Sequence, residues 1–185
     1  MAPLTVGRFR LTRPLARGGM GVVWEGLHED SGVPIALKAI TAGRAQQPRY
    51  QAAFRDEVRS VAGLAHPGIV VVYDSGRLEP AAERASRAAS PENALVAGSP
   101  YLAMELADRG TAEGAWHPAL ERWSALRDLL LQTLGALAHA HAHGVFHGDV
   151  KPRNLLCFGR EEGGLAWKLA DFGLARTYRQ DAGGG

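Results

Sequence analysis

The sequence predicts an α+β fold: a strand-rich front half, one long helix, and a loop of polar side chains between that helix and further strands. Three observations carry this expectation. Short runs rich in Val, Leu, Ile and Trp, punctuated by Gly, Pro, Asp and Ser, recur through residues 8–40, as strands joined by turns do. Residues 120–143 carry Leu126, Leu130, Leu134, Leu137 and His141 on one helical stripe, widened by Leu129 and Leu131. Finally, Val145–Cys157 sets His147, Asp149, Lys151 and Asn154 within eight residues, on a loop held by rigid elements. At 185 residues there is room for one core or for two small lobes around a cleft.

Composition narrows the class. Hydrophobic content of 46% and charged content of 22% are ordinary for a soluble globular chain, and a net charge of +2 is too weak to argue for nucleic acid or an anionic membrane. Lysine occurs only at 38, 151 and 168, so each is informative. The single cysteine excludes an internal disulfide and fits a reducing compartment; within Leu155-Leu156-Cys157-Phe158 it reads as a buried thiol. The first residues lack an apolar signal core, and no run approaches the roughly 18 apolar residues of a spanning helix. A soluble, cytoplasmic chain is expected.

Residues 8–15 and 22–28 read as strands around Ala16-Arg17-Gly18-Gly19-Met20-Gly21, where glycines let backbone N–H groups approach an anion. Thr12, Arg13 and Pro14 suit an edge. After the Asp30-Ser31-Gly32 turn, alternation in the strand Val33–Ile40 puts Ile35, Leu37 and Ala39 on one face and Ala36, Lys38 and Ile40 on the other. Residues 43–49 are a polar loop. A helix is expected over 51–65, with Phe54, Val58, Val61 and Ala65 on a buried stripe and Glu57 on the same face. A buried carboxylate needs a cation, and Lys38 is the candidate.

His66-Pro67 ends that helix before a strand over 69–73. Residues 79–99 are rich in Ala, Ser, Glu and Arg without an apolar period, so a solvated, partly disordered insertion is expected. A strand over 100–106 ends in Met104-Glu105-Leu106-Ala107, followed by a loop over 108–117. Gly144 stops the long helix. His139, His141 and His143 suit its C-terminus, with no third ligand positioned for a metal. Strands at 155–158 and 165–170, joined by a Gly-rich turn, lead to Asp171-Phe172-Gly173.

Taken in order, these stretches resemble protein kinases of the bacterial serine/threonine type. Gly18, Gly21 and Val23 match G-x-G-x-x-G-x-V with Ala16 in place of the first glycine, and Ile35-Ala36-Leu37-Lys38 resembles the V-A-I-K strand. Asp149 and Asn154 have the separation of the catalytic loop, and Asp171 lies seventeen residues further on, in D-F-G. The resemblance implies a bilobal protein-kinase-like fold: an antiparallel-sheet N-lobe with helix C over 8–106, including the hinge and the insertion 79–99, and an incomplete helical C-lobe over 107–185. It implies ATP between the lobes and Mg²⁺, with a Ser/Thr-bearing protein as acceptor. Gly18, Gly21, Val23, Ala36 and Lys38 would contact ATP, with Glu57 bridging Lys38. Met104, Glu105 and Ala107 would surround the adenine. Asp149 would accept the acceptor's proton, Lys151 would stabilise the transferring phosphoryl group, and Asn154 and Asp171 would hold Mg²⁺.

Two departures matter. Gly148 stands where most such kinases have Arg, which couples the site to activation-loop phosphorylation; the resemblance therefore implies that this coupling is missing. The chain also carries no A-P-E segment, so an incomplete domain, weakly active or inactive by itself, is expected. Small-molecule kinases of the aminoglycoside or choline type share H-G-D-x-x-x-x-N, and a non-catalytic nucleotide-binding module is the remaining alternative. Lys151 and the D-F-G run favour the protein kinase.

Overall fold

The computed structural model describes residues 3–18, 21–39, 58, 61, 63–113, 122–161 and 163–172. The chain divides into two compact units, Met1–Val58 with Val72–Leu106, and Arg59–Val71 with Ala107–Gly185.

The first unit is an antiparallel sheet of β1 (Thr5–Val6), β2 (Phe9–Gly18), β3 (Gly21–His28), β4 (Pro34–Ala39), β5 (Val72–Arg77) and β6 (Pro100–Glu105), ordered β1-β2-β3-β4-β6-β5. β1 covers only the start of β2, so Pro14 lies where no ladder bond is needed on its outer side. The pairing of β2 with β3 shifts register between Leu11 and Arg13 and again between Pro14 and Ala16, so the strand bends there. The predicted alternation in β4 holds. Ile35, Leu37 and Ala39 are fully buried and join Phe9, Val22, Trp24, Tyr101 and Ala103 in one core. The strand expected over 69–73 begins later, at Val72.

Residues 79–99 correct the expectation of a solvated insertion. They fold as α1 (Pro80–Ala89) and a 3₁₀ turn (Pro91–Asn93), and they help cover the core face of the sheet through Ala82 and Leu95. The buried stripe of α1 is Ala82 and Ser86, one turn apart, and two small residues leave no apolar period to read. Hydrogen bonds do the rest. Ser86 Oγ donates to the Glu83 carbonyl (3.0 Å) and accepts from the Leu95 amide (2.9 Å). The Glu83 carboxylate accepts from the Ala97 amide (2.8 Å), and Trp24 Nε1 donates to the Asn93 carbonyl (3.1 Å). The segment closes at its base, where Leu78 N–H donates to Ser99 O (2.9 Å).

The second unit is built on α2 (Trp123–Ala142) and the antiparallel hairpin β7 (Leu155–Gly159) and β8 (Leu165–Leu169). Its helix buries Leu129, Thr133, Ala136 and Ala140; of the predicted stripe Leu129 is buried and Leu126 and Leu137 are half-buried. Leu130, Leu131 and Leu134 of that stripe are exposed, and His141 rests its ring on Phe146 at 4.9 Å. The reason is closeness of approach. Small residues admit the backbone at Gly68, where a Cβ would lie 3.0 Å from the Gln132 carbonyl oxygen, and the same stretch of helix holds β8 through Trp167 N–H donating to Gln132 Oε1 (3.0 Å).

Val58 and Val61 are helical and buried, whereas Ala65 is exposed and the helix has ended by Gly63; Leu64 is buried instead. Phe54 and Glu57 lie outside the described residues, so the expected Lys38–Glu57 pair does too. No described helix is long and apolar enough to cross a membrane. Cys157 is buried as expected; burial first, then the Asp108 carboxylate, push its thiol up to about 11.

Candidate active site

In the first unit, register collects the predicted nucleotide contacts on the sheet face away from the core. Val23 pairs with Lys38, and Lys38 with Leu102; Ala36 pairs with Met104. Directly paired residues share a face, so Val23, Ala36, Lys38, Leu102 and Met104 do. Leu102 was missed in the sequence, because only the β4–β6 register reveals it. Lys38 is 7% exposed, deeply placed for an ammonium. Gly18 and Gly21 face each other as the last β2–β3 pair, and Gly21 sits at φ +153°, which only glycine adopts readily. Gly19 and Met20, between them, lie outside the described residues. Glu105 ends β6, and Ala107 follows in the irregular segment where the second unit resumes.

In the second unit, the polar loop is held from several sides. α2 ends as Gly144 N–H donates to His141 O (2.9 Å) and Val145 N–H to Ala140 O (2.9 Å). Gly148 turns the chain at φ +73°; a side chain there would cost about 1–2 kcal/mol. The loop closes in the 3₁₀ turn Pro152–Asn154, whose proline begins a helical turn without needing its missing N–H.

His147 is 1% exposed and braces both ends of the site. Its Nε2 donates to the Ala170 carbonyl (2.9 Å), since a carbonyl only accepts, and its Nδ1 accepts from Asp149 N–H (3.3 Å). Those two bonds define a neutral ring. Burial holds its pKa below the usual 6.5, against the opposing pull of the Ala170 carbonyl, Asp171 and Asp149. Phe172 lies against it, ring centroids 4.6 Å apart. The histidine was visible in the sequence as part of the motif, yet its bracing role depends on a partner twenty-three residues away.

Asp149, Lys151 and Asn154 come together. Lys151 Nζ contacts Asp149 Oδ2. Asn154, 3% exposed, donates from Nδ2 to the Asp149 carbonyl (2.9 Å) and, at 3.4 Å, to its carboxylate. Ala170 N–H donates to the Asn154 carbonyl (2.9 Å), which ties the residue before Asp171 to the loop. Asp171 sits at φ +61°, the one described non-glycine residue with positive φ, and such backbone strain gathers at functional positions.

The donor set suits a hard cation completed by phosphate. Asn154 directs its amide hydrogens to Asp149, which leaves its side-chain oxygen able to serve a cation, and Asp171 carries a carboxylate on the adjoining backbone. Among the described residues no group of three or more His, Cys, Asp or Glu could hold a metal. Mg²⁺ characteristically takes few protein ligands and leaves the rest to phosphates and water.

Known proteins are similar throughout. The family model for the protein kinase domain matches residues 9–183. PknA of Mycobacterium tuberculosis, a serine/threonine-protein kinase, is 36% identical over 171 residues, covering 92% of this chain and 36% of that protein. Pkn1 of Myxococcus xanthus, also a serine/threonine-protein kinase, is 34% identical over 170 residues, covering 92% of this chain and 22% of that protein. The solved kinase domain of M. tuberculosis PknI aligns with a TM-score of 0.70 at 25% identity, over 94% of this chain and 62% of that structure. The chain thus spans well under half of these curated relatives and less than two thirds of the solved domain. With the sheet of the first unit, the locked polar loop of the second and a family match over nearly its whole length, the chain belongs to the protein kinase domain family.

Proposed function

We propose that this chain binds ATP with Mg²⁺ and, weakly by itself, transfers its terminal phosphoryl group to Ser or Thr hydroxyls of a protein, in the cytoplasm. The observation that carries the reading is the Asp149–Lys151–Asn154 cluster, tied through Ala170 to the backbone before Asp171. Asp149 orients the acceptor hydroxyl and takes its proton, and Lys151, already against that carboxylate, offsets the charge of the transferring group. Asn154 and Asp171 hold the metal. Lys38 would take the α- and β-phosphates, and Gly18, Gly21 and Val23 would contact ATP; Ala36, Leu102 and Met104 would add apolar contact, and the backbone at Glu105 and Ala107 would take the adenine edge. Bound ATP and Mg²⁺ supply the phosphoryl group and neutralise its charge. Because glycine has no charge to pair with a phosphate, activity is independent of activation-loop phosphorylation through Gly148.

Thermal unfolding with ligand tests the binding half. ATP with Mg²⁺ is expected to raise the midpoint, by linkage, by the equivalent of about 2.7 kcal/mol at a hundredfold excess over Kd. Lys38→Ala and Asp171→Ala are each expected to remove most of that rise while leaving the unliganded midpoint within a few degrees. An equal rise in all three proteins contradicts the assignment.

A further inference from the structure

Three imidazoles outside the proposed site stand in a row within the second unit. On α2, His139 faces His66 at 5.1 Å between ring centroids and His143, one turn on, at 4.4 Å. The rings are tilted by only 32° and 39°, so they stack rather than converge, and they form no metal-holding group.

Hydrogen bonds determine what a proton does there. His66 Nδ1 accepts from Gly68 N–H (3.0 Å), so its lone pair is in use. His143 Nδ1 donates to the His139 carbonyl (2.9 Å). His139 Nε2 is buried without a hydrogen-bond partner. Burial first, then His143 from its own helix and His66 from the facing segment, hold the His139 pKa below the usual 6.5. Those two histidines are the titratable groups that bear on it; no carboxylate is among them.

His66 also begins the segment that fastens β8. Gly68 is pressed on α2, and its carbonyl accepts from Leu169 N–H (2.8 Å), while Val70 N–H donates to the Leu169 carbonyl (2.9 Å). Leu169 stands two residues before Asp171.

We propose that His66, His139 and His143 form an acid-sensitive latch. Neutral, the stack holds residues 66–70 on α2 and so fixes the end of β8; protonated, it opens and loosens that end. A proton on His66 Nδ1 replaces an acceptor with a donor facing the Gly68 N–H, and a second charge within the stack repels the first at close range. Imidazole is the side chain whose charge changes between about pH 5 and 8, the range in which such a latch would act.

Hydrogen exchange at the Val70 and Leu169 amides tests this without reference to catalysis. Results are expressed as protection factors, which removes the intrinsic pH dependence of exchange. Between pH 7.5 and 5.5 the wild type is expected to lose protection about tenfold. His66→Asn keeps an acceptor for the Gly68 N–H, as in an Asx turn, but cannot charge, and is expected to retain protection. Should that variant fail to fold, the ring signals of the three histidines in the wild type decide: they are expected to change in step with the loss. Protection unchanged in the wild type, an equal loss in folded His66→Asn, or loss while those ring signals are unchanged overturns the latch.

Discussion

Asp149→Asn is expected to lower ATP-dependent phosphoryl transfer by about 10²–10⁴-fold, the usual contribution of a positioned general base. The substitution is nearly isosteric. An amide oxygen still accepts from Asn154 and Lys151, which now reach the carboxylate, and the loop keeps the Asn154-to-Asp149 carbonyl bond that does not involve the side chain. What disappears is the group proposed to take the acceptor's proton. Initial rates and thermal unfolding, measured side by side, check both halves: the rate falls while the midpoint and the stabilisation by ATP persist. A loss under about tenfold would remove Asp149 from the role proposed for it.

Leu95→Ala carries the largest expected effect on stability, about 2–5 kcal/mol. Leu95 is fully buried in the core shared with Phe9, Trp24 and Leu37, and its own amide is held by Ser86 Oγ at the floor of α1. Truncation leaves a cavity under a segment fastened on both sides, which has little freedom to collapse into it. Against a total of roughly 5–15 kcal/mol, that is a substantial fraction. Arg84→Ala, on the exposed face of the same helix, serves as the control and is expected to stay within about 0.5 kcal/mol. Urea unfolding of both proteins makes the comparison; a cost under 1 kcal/mol at Leu95 would make residues 79–99 an appendage rather than part of the core.

What was legible in the sequence was what local periodicity and fixed spacing encode. Alternation along β4 separates Ile35 and Leu37 from Ala36 and Lys38 without knowledge of any partner strand. The positions of Asp149, Asn154 and Asp171 along the chain likewise pointed to one loop and one strand end. Pairings of distant residues were not legible. α2 buries Leu129 together with the small residues Thr133, Ala136 and Ala140, a face chosen by the approach of Gly68 and β8, while Leu130, Leu131 and Leu134 point outward. α1 escaped notice because Ala82 and Ser86 bury little area and the segment is held by polar bonds from Glu83 and Ser86. Leu102 and the bracing by His147 needed cross-strand register and a backbone carbonyl, neither of which a one-dimensional pattern contains.

The central claim is phosphoryl transfer to hydroxyls of protein side chains, and the direct measurement is the chemical identity of the labelled product. The protein is incubated with Mg²⁺, γ-labelled ATP, a mixed protein acceptor, and choline and an aminoglycoside as competing alcohols. Acid hydrolysis is predicted to release label as phosphoserine and phosphothreonine, and Asp149→Asn to release almost none. Label on choline or the aminoglycoside with none on protein would contradict the account, as would equal labelling by the wild type and Asp149→Asn.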